Sequence, residues 1–272
     1  MASGRLNMPH MLILGMGYTG SRLAMRLRAE GWHVTGVRRA ADAETLDFSD
    51  ETAVLTAIAR ASHILSSVPP EGDADPVLTR YGGAIAAAPA IWTGYLSSTG
   101  VYGDAAGAWV DEASPTGVAR RAARAQADAD WGALRPDLRR FRLPGIYGPG
   151  RSALDRVREG RAHRIDLPDQ VFSRAHVDDI VAGVLASIHH GPPGIYNLSD
   201  DLPCAQNRLI EEACALLGQP APPLLTLEEA QLSPMARSFY AENRRVANGR
   251  AKRLLGWSPL YPTYREGLRA CL

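Results

Sequence analysis

The sequence predicts an α/β protein built on a doubly wound parallel sheet, with a smaller C-terminal lobe interleaved with it. Three observations carry this. Strand-length apolar runs alternate with helix-length amphipathic runs through the first half of the chain, the pattern of successive βα units. One of these junctions, Leu12-Ile13-Leu14-Gly15-Met16-Gly17-Tyr18-Thr19-Gly20, runs an apolar strand straight into G-x-G-x-x-G. An amphipathic run over 21–30 follows it, which is the context a Rossmann-type dinucleotide fingerprint requires.

The elements follow in order. Residues 11–14 read as a strand, 21–30 as a helix and 33–37 as a second strand. The link over 38–44 is shorter than the roughly ten residues of a crossover helix, so its connection to 45–48 is abbreviated. Residues 51–61 are helical, and the strand over 63–68 is stopped by Pro69-Pro70, two residues that cannot continue a ladder. A helix over 76–88, a strand over 91–97, a long Ala/Arg-rich helix within 115–134 and a strand over 138–143 complete the first half. The second half is more mixed: helices over 152–160, 177–189 and 207–217, a short strand over 194–198, and Pro-rich loops at 219–223 and 258–262. We expect a dinucleotide-binding core over 11–150 and mainly a substrate lobe over 151–272, with 174–200 returning to the core.

The glycine loop carries chemistry. Gly15 permits the tight turn, Gly17 lets the backbone approach a pyrophosphate, and Gly20 lets helix and strand pack closely. Met16, Tyr18 and Thr19 complete the loop, and the pyrophosphate would rest on the exposed N–H groups of the helix start. An NAD site places an acid about 20 residues beyond the glycines to bond the ribose 2′-hydroxyl. This chain has Arg38 and Arg39 there, with Asp42 the nearest acid. A carboxylate repels a 2′-phosphate and a guanidinium bonds it through two N–H groups. The reading is therefore NADP(H) over NAD(H), against the alternative of a solvated arginine pair at a strand end.

Composition narrows the remaining classes. The 272 residues are 46% hydrophobic, and no stretch reaches the ~18 apolar residues of a membrane span. Three cysteines, Cys204, Cys214 and Cys271, fit no metal spacing and are too few for a disulfide framework. They read as free thiols, and with no visible secretory signal the expected location is the cytoplasm. The net charge of +1 recruits no nucleic acid. The arginines between 120 and 142 are interrupted by Asp128, Asp130 and Asp137 and lack an aromatic stacking platform.

Further motifs run through most of the chain. They are Tyr95-Leu96-Ser97-Ser98-Thr99-Gly100-Val101-Tyr102-Gly103, Asp111-Glu112-Ala113-Ser114-Pro115, Arg142-Leu143-Pro144-Gly145-Ile146-Tyr147-Gly148-Pro149-Gly150, Arg174-Ala175-His176-Val177-Asp178-Asp179-Ile180, Ile195-Tyr196-Asn197-Leu198-Ser199-Asp200 and Leu255-Gly256-Trp257-Ser258-Pro259. In this order they resemble the extended short-chain dehydrogenase/reductases, the NAD(P)-dependent epimerase/dehydratase superfamily, and within it the atypical branch. The resemblance implies a catalytic hydroxyl at Ser98, with Thr99 secondary. It implies cofactor contacts from Asp47 and Phe48 near the adenine, from Ser66, Ser67, Val68 and Pro69 along the dinucleotide, and from Pro144, Gly145 and Ile146 at the nicotinamide end. It also implies a homodimer.

The family's Tyr-x-x-x-Lys pair is missing. Arg120 and Arg124 stand in the equivalent stretch, and the single lysine, Lys252, has Asn248 four residues before it. Arg124 can supply charge and ribose hydrogen bonds, but arginine stays protonated and is a poor general base. The replacement proton donor is open among Tyr102, Tyr147 and His176, with Tyr102 first. Tyr147, Arg151, Arg174 and His176, with Arg156 nearby, fall where the resemblance places the substrate, and an arginine cluster suits a small molecule bearing phosphate or carboxylate. The expected activity is an NADP(H)-dependent oxidoreductase or epimerase acting on a carbonyl or hydroxyl carbon. The rival is a non-catalytic NADP(H)-binding redox sensor.

Overall fold

The computed structural model describes residues 8–117 and 122–272. A seven-stranded parallel sheet is its main element. Five of the strands lie in the first hundred residues: β1 (His10–Leu14), β2 (His33–Arg38), β3 (Thr45–Asp47), β4 (His63–Ser66) and β5 (Trp92–Ser98). The strands Leu138–Leu143 and Gly194–Asn197 extend the sheet beyond β5, giving the order Gly194–Asn197, Leu138–Leu143, β5, β4, β1, β2, β3. The chain leaves β1 towards β2 and β3 on one side and places β4 and β5 on the other. The crevice at the carboxyl ends of β1 and β4 is thus the topological switch point, where doubly wound sheets bind ligands.

The chain divides into two compact units. The described residues up to Ser97, with Gln126–Phe141 and Pro192–Ile195, form the first; the described residues of Ser98–Ala125, with Arg142–Gly191 and Tyr196–Leu272, form the second.

In the first unit, α1 (Tyr18–Ala29), α2 (Glu51–Arg60) and α3 (Pro76–Ala87) link the strands, and α4 (Ala122–Leu134) contributes its last turns. The core includes Leu12, Leu14, Val54, Ile58, Ile64, Val77, Ile85 and Trp131. Trp131 stacks on Tyr95 at 5.0 Å and donates its indole N–H to Asp75 at 2.8 Å. Asp75 also accepts the Val77 and Leu78 amides, so one buried carboxylate caps α3 and ties it to α4. The link from β2 to β3 contains no helix, as its length requires. The helix expected within 115–134 is described from Ala122; residues 115–117 are not helical. There Asp111 accepts the Ala113 amide and the Ser114 hydroxyl, closing a turn.

The second unit packs α5 (Ala153–Arg158) and α7 (Gln206–Leu216) around Leu154, Val157, Leu209, Ile210 and Leu268. The helix α6 (Val177–His189) follows a short strand, Arg174–His176, which pairs in parallel with Gly145–Tyr147. The three cysteines are free thiols. Among the described residues no helix is long and apolar enough to cross a membrane, and no three metal-binding side chains converge.

Candidate functional site

In the first unit the glycine loop is strapped on both sides. The Gly15 and Met16 amides both donate to the Val37 carbonyl at the end of β2. Ser67, just past β4, donates its hydroxyl to the Gly15 carbonyl at 2.5 Å. Gly15 turns with φ +99°, and a Cβ there would lie 2.7 Å from Ser67 Oγ. A Cβ on Gly20 would lie 2.6 Å from the Gly15 carbonyl oxygen, whereas one on Gly17 would meet nothing within 4 Å. Two glycines therefore close the loop and the third leaves its outer side open.

The helix begins at Tyr18, three residues before the amphipathic run, so Tyr18, Thr19 and Gly20 form its first turn. Gly17 is the N-cap, no side chain caps the helix, and its first turn holds no acid. The first-turn amides of an uncapped helix suit an anion. The loop therefore fits the pyrophosphate of a dinucleotide.

Both arginines stand at the end of β2. Arg38 donates Nε to the Met16 carbonyl at 2.9 Å and Nη1 to Asp42 at 2.8 Å, which fixes it beside the loop. Arg39 is exposed and lies 3.6 Å from Glu71. Asp47 accepts the Ser49 amide and hydroxyl, and these bonds hold its carboxyl below the usual range. Phe48 meets Tyr81 edge-on at 5.3 Å, and the Tyr81 hydroxyl donates to the Phe48 carbonyl. Ser66 is buried, with no hydrogen-bond partner on its hydroxyl. Val68 is half-buried and Pro69 exposed.

The second unit carries the candidate reacting groups. Ser98 caps a 3-10 turn over Thr99–Tyr102 and accepts the Gly100 amide on Oγ at 3.1 Å. It is half-buried, while Thr99 behind it is buried. Tyr102 ends the same turn. Its phenol donates to Asn197 Oδ1 at 2.7 Å, the Arg142 guanidinium lies 4.9 Å from its ring centre, and burial pushes its pKa up. The Tyr102 proton is therefore engaged within the protein. Arg124 lies in the first turn of α4, half-buried, and Arg120 lies outside the described residues.

Pro144 precedes the strand that carries Gly145, Ile146 and Tyr147. Tyr147 is buried with no partner on its hydroxyl, and burial, reinforced by Asp200 and Asp179, pushes its pKa up. His176 meets it edge-on at 5.2 Å. The His176 Nδ1 accepts the Asp178 amide and caps α6, so this ring is held in place at a helix start. Arg174 is 5% exposed, its guanidinium donating to the Phe172 and Cys204 carbonyls and to Gln206. Arg151 is exposed.

Two buried acids escaped the sequence reading. Asp128, on α4 in the first unit, accepts Ser97 Oγ at 2.6 Å and Arg140 Nη1 at 2.9 Å. Asp200, in the second, is 3% exposed with no hydrogen-bond partner on either carboxyl oxygen, and burial raises its pKa to about 8. The sequence signals for Asp200 were its place after the apolar strand 194–198 and at the end of the motif over 195–200.

No family model matches the chain. A solved structure of a functionally unknown conserved protein from Silicibacter pomeroyi is 42% identical, covers 97% of this chain and 98% of its own, and superposes with a TM-score of 0.89. A human epimerase family protein with NADPH is 18% identical, with 96% and 98% covered and a TM-score of 0.78. A UDP-glucuronic acid 4-epimerase from Bacillus cereus in complex with NAD is 16% identical, with 96% of each chain covered and a TM-score of 0.76. These two likenesses show the shared fold. A curated Streptomyces protein, 3-diazoavenalumate denitrifying reductase, is 30% identical over 142 residues, 47% of this chain. The match spans 45% of that relative's length. With nearly full-length identity of 42%, the chain belongs to one family with the Silicibacter protein, and its glycine loop, strapped at the switch point, stands on the fold that solved NAD(P)-dependent epimerases share.

Proposed function

We propose that the chain is an NADP(H)-dependent oxidoreductase or epimerase acting on a carbonyl or hydroxyl carbon of a small molecule, with the Tyr-x-x-x-Lys pair replaced. The observation that carries the cofactor reading is the Arg38 side chain bonded to the Met16 carbonyl of an uncapped glycine loop. Gly15 and Gly17 would shape the loop and the first-turn amides of Tyr18, Thr19 and Gly20 would hold the pyrophosphate, with Arg38 and Arg39 on the 2′-phosphate. When bound, the nicotinamide supplies or accepts hydride.

The chain's own groups divide the remaining work. Ser98 receives the Gly100 amide on Oγ and keeps its hydroxyl proton for a substrate oxygen, where a fixed donor stabilises developing negative charge. Arg124 remains protonated and adds positive charge without moving a proton. Tyr102, anchored on Asn197, holds the turn that Ser98 begins. Arg151 and Arg156 are both exposed and would meet an anionic substrate group. Arg174 is bonded internally, so its contribution is to shape that lobe. We infer a homodimer and a cytoplasmic location from the family resemblance and the cysteine usage.

The test is a screen of carbonyl compounds, anionic ones included, for NADPH consumption, with Ser98→Ala beside the wild type. Loss of one fixed donor to an oxyanion costs about 100-fold in kcat. The expected result is that loss with NADPH binding retained. A wild type that binds NADPH but turns over no substrate favours the non-catalytic sensor, and a variant that turns over as fast as wild type removes Ser98 from the chemistry.

A further inference from the structure

We propose that Asp42 sets how strongly the chain distinguishes a coenzyme bearing a 2′-phosphate from one without, by sharing the Arg38 guanidinium with that phosphate. The inference rests on the reading of the glycine loop as an NADP(H) site and concerns a residue outside the fingerprint.

Both arginines at the end of β2 already have a carboxylate. Arg38 lies 2.8 Å from Asp42 and Arg39 3.6 Å from Glu71. An arriving phosphate therefore meets cations that are already paired. The two acids differ in freedom. The Glu71 side chain is 69% exposed and turns aside at little cost.

Asp42 is fixed. Its Oδ1 accepts the Glu44 amide at 2.9 Å and the Thr45 hydroxyl at 2.8 Å, and its own amide donates to Thr45 Oγ1 at 3.1 Å. These bonds build the turn that enters β3 and leave Oδ2 directed at Arg38 Nη1. The same bonds, the Glu44 amide first, hold the Asp42 carboxyl below its usual range, so it is ionised at neutral pH.

Arg38 cannot swing away to meet the phosphate elsewhere, because its Nε is tied to the Met16 carbonyl. Phosphate and Asp42 must therefore use the same guanidinium. The phosphate would take the remaining Nη protons beside the Asp42 carboxylate, and the two anions repel across a few ångströms. NADH, with a 2′-hydroxyl there, does not meet that cost.

Asp42→Asn is the discriminating change. It keeps Oδ1 as acceptor for Glu44 and Thr45, so the turn survives, and removes one negative charge beside Arg38. Wild type, Asp42→Asn, Arg38→Ala and the double variant are titrated calorimetrically with NADPH, NADH and 2′,5′-ADP, which carries the phosphate without the nicotinamide. Asp42→Asn should tighten NADPH and 2′,5′-ADP about tenfold and leave NADH within about twofold. Arg38→Ala should lose the preference for NADPH, and in the double variant most of the gain should vanish. If wild type binds NADPH and Asp42→Asn binds it no tighter, or gains equally for NADH, the role of Asp42 is overturned while the cofactor reading stands. If wild type binds neither coenzyme nor 2′,5′-ADP, the cofactor reading fails and takes this inference with it.

Discussion

At the scale of single residues, the glycine loop depends on positions where a side chain has no room. Gly15 combines φ +99° with a prospective Cβ contact of 2.7 Å to Ser67 Oγ. That hydroxyl is the one bonded to the Gly15 carbonyl, so an added methyl strikes the strap that joins β1 to β4. Backbone strain of this kind costs about 1–3 kcal/mol. Gly15→Ala should lower stability by that amount in urea titration and weaken NADPH binding at least about tenfold, since the amides of the first turn shift with the loop. Unchanged NADPH affinity in a folded Gly15→Ala protein would mean the loop does not hold the pyrophosphate. The loop was legible in the sequence because its constraints are local, with spacing and strand context written in nine consecutive residues. Arg174 shows the opposite. It reads as one of the arginines that meet the substrate, yet its guanidinium is occupied by the Phe172 and Cys204 carbonyls and Gln206. Two of those three partners lie about thirty residues away, and periodicity carries no information about them.

At the scale of elements, helix and strand identity followed the hydrophobic pattern, and the boundaries moved where caps decide them. The first helix starts at Tyr18 because Gly17 takes the N-cap, a backbone event that the amphipathic run from Ser21 does not report. The missing helix between β2 and β3 was readable from length alone, since the link cannot hold a crossover. The joint between α3 and α4 was not readable. It rests on Asp75, which accepts the Val77 and Leu78 amides and the Trp131 indole N–H. Removing a cap costs about 1 kcal/mol, and a buried indole donor left without a partner about 1–3 kcal/mol more. Asp75→Ala should therefore destabilise the protein by about 2–4 kcal/mol in urea. A loss below about 0.5 kcal/mol, the range of ordinary surface substitutions, would show that the joint is not a structural tie. Asp75→Asn, which keeps an acceptor for the indole, should recover part of the loss.

At the scale of the whole molecule, buried acids tie stability to pH. Asp200 has no hydrogen-bond partner on its carboxyl and a pKa raised to about 8; burial also raises Asp179 to about 6. Both folded values lie above the unfolded value of about 3.9. Between the two values the unfolded chain has released a proton that the folded chain keeps, so stability falls as pH rises through that window and levels off above about 8. Thermal unfolding should show a lower Tm at pH 8.5 than at pH 6. Asp200→Asn should flatten the upper part of that slope and raise the Tm at pH 8.5. A Tm that rises between pH 6 and 8.5 would mean that Asp200 is solvated or paired. The segments that make up each unit leave less trace in the sequence. The first unit gathers the described residues up to Ser97 with Gln126–Phe141 and Pro192–Ile195, and strand neighbours chosen from distant segments leave no mark on local pattern. The fold class survived that blindness because alternating βα units imply the parallel sheet whichever strands are adjacent.

The central claim is that the strapped glycine loop and Arg38 form an NADP(H) site. Calorimetric titration of the purified wild type with NADPH and NADH, side by side, tests it most directly. The account predicts saturable binding of both, with NADPH tighter by at least about tenfold, the ratio a pair of charge-assisted bonds to the 2′-phosphate supports. Equal affinity, tighter NADH, or no binding of either would contradict it.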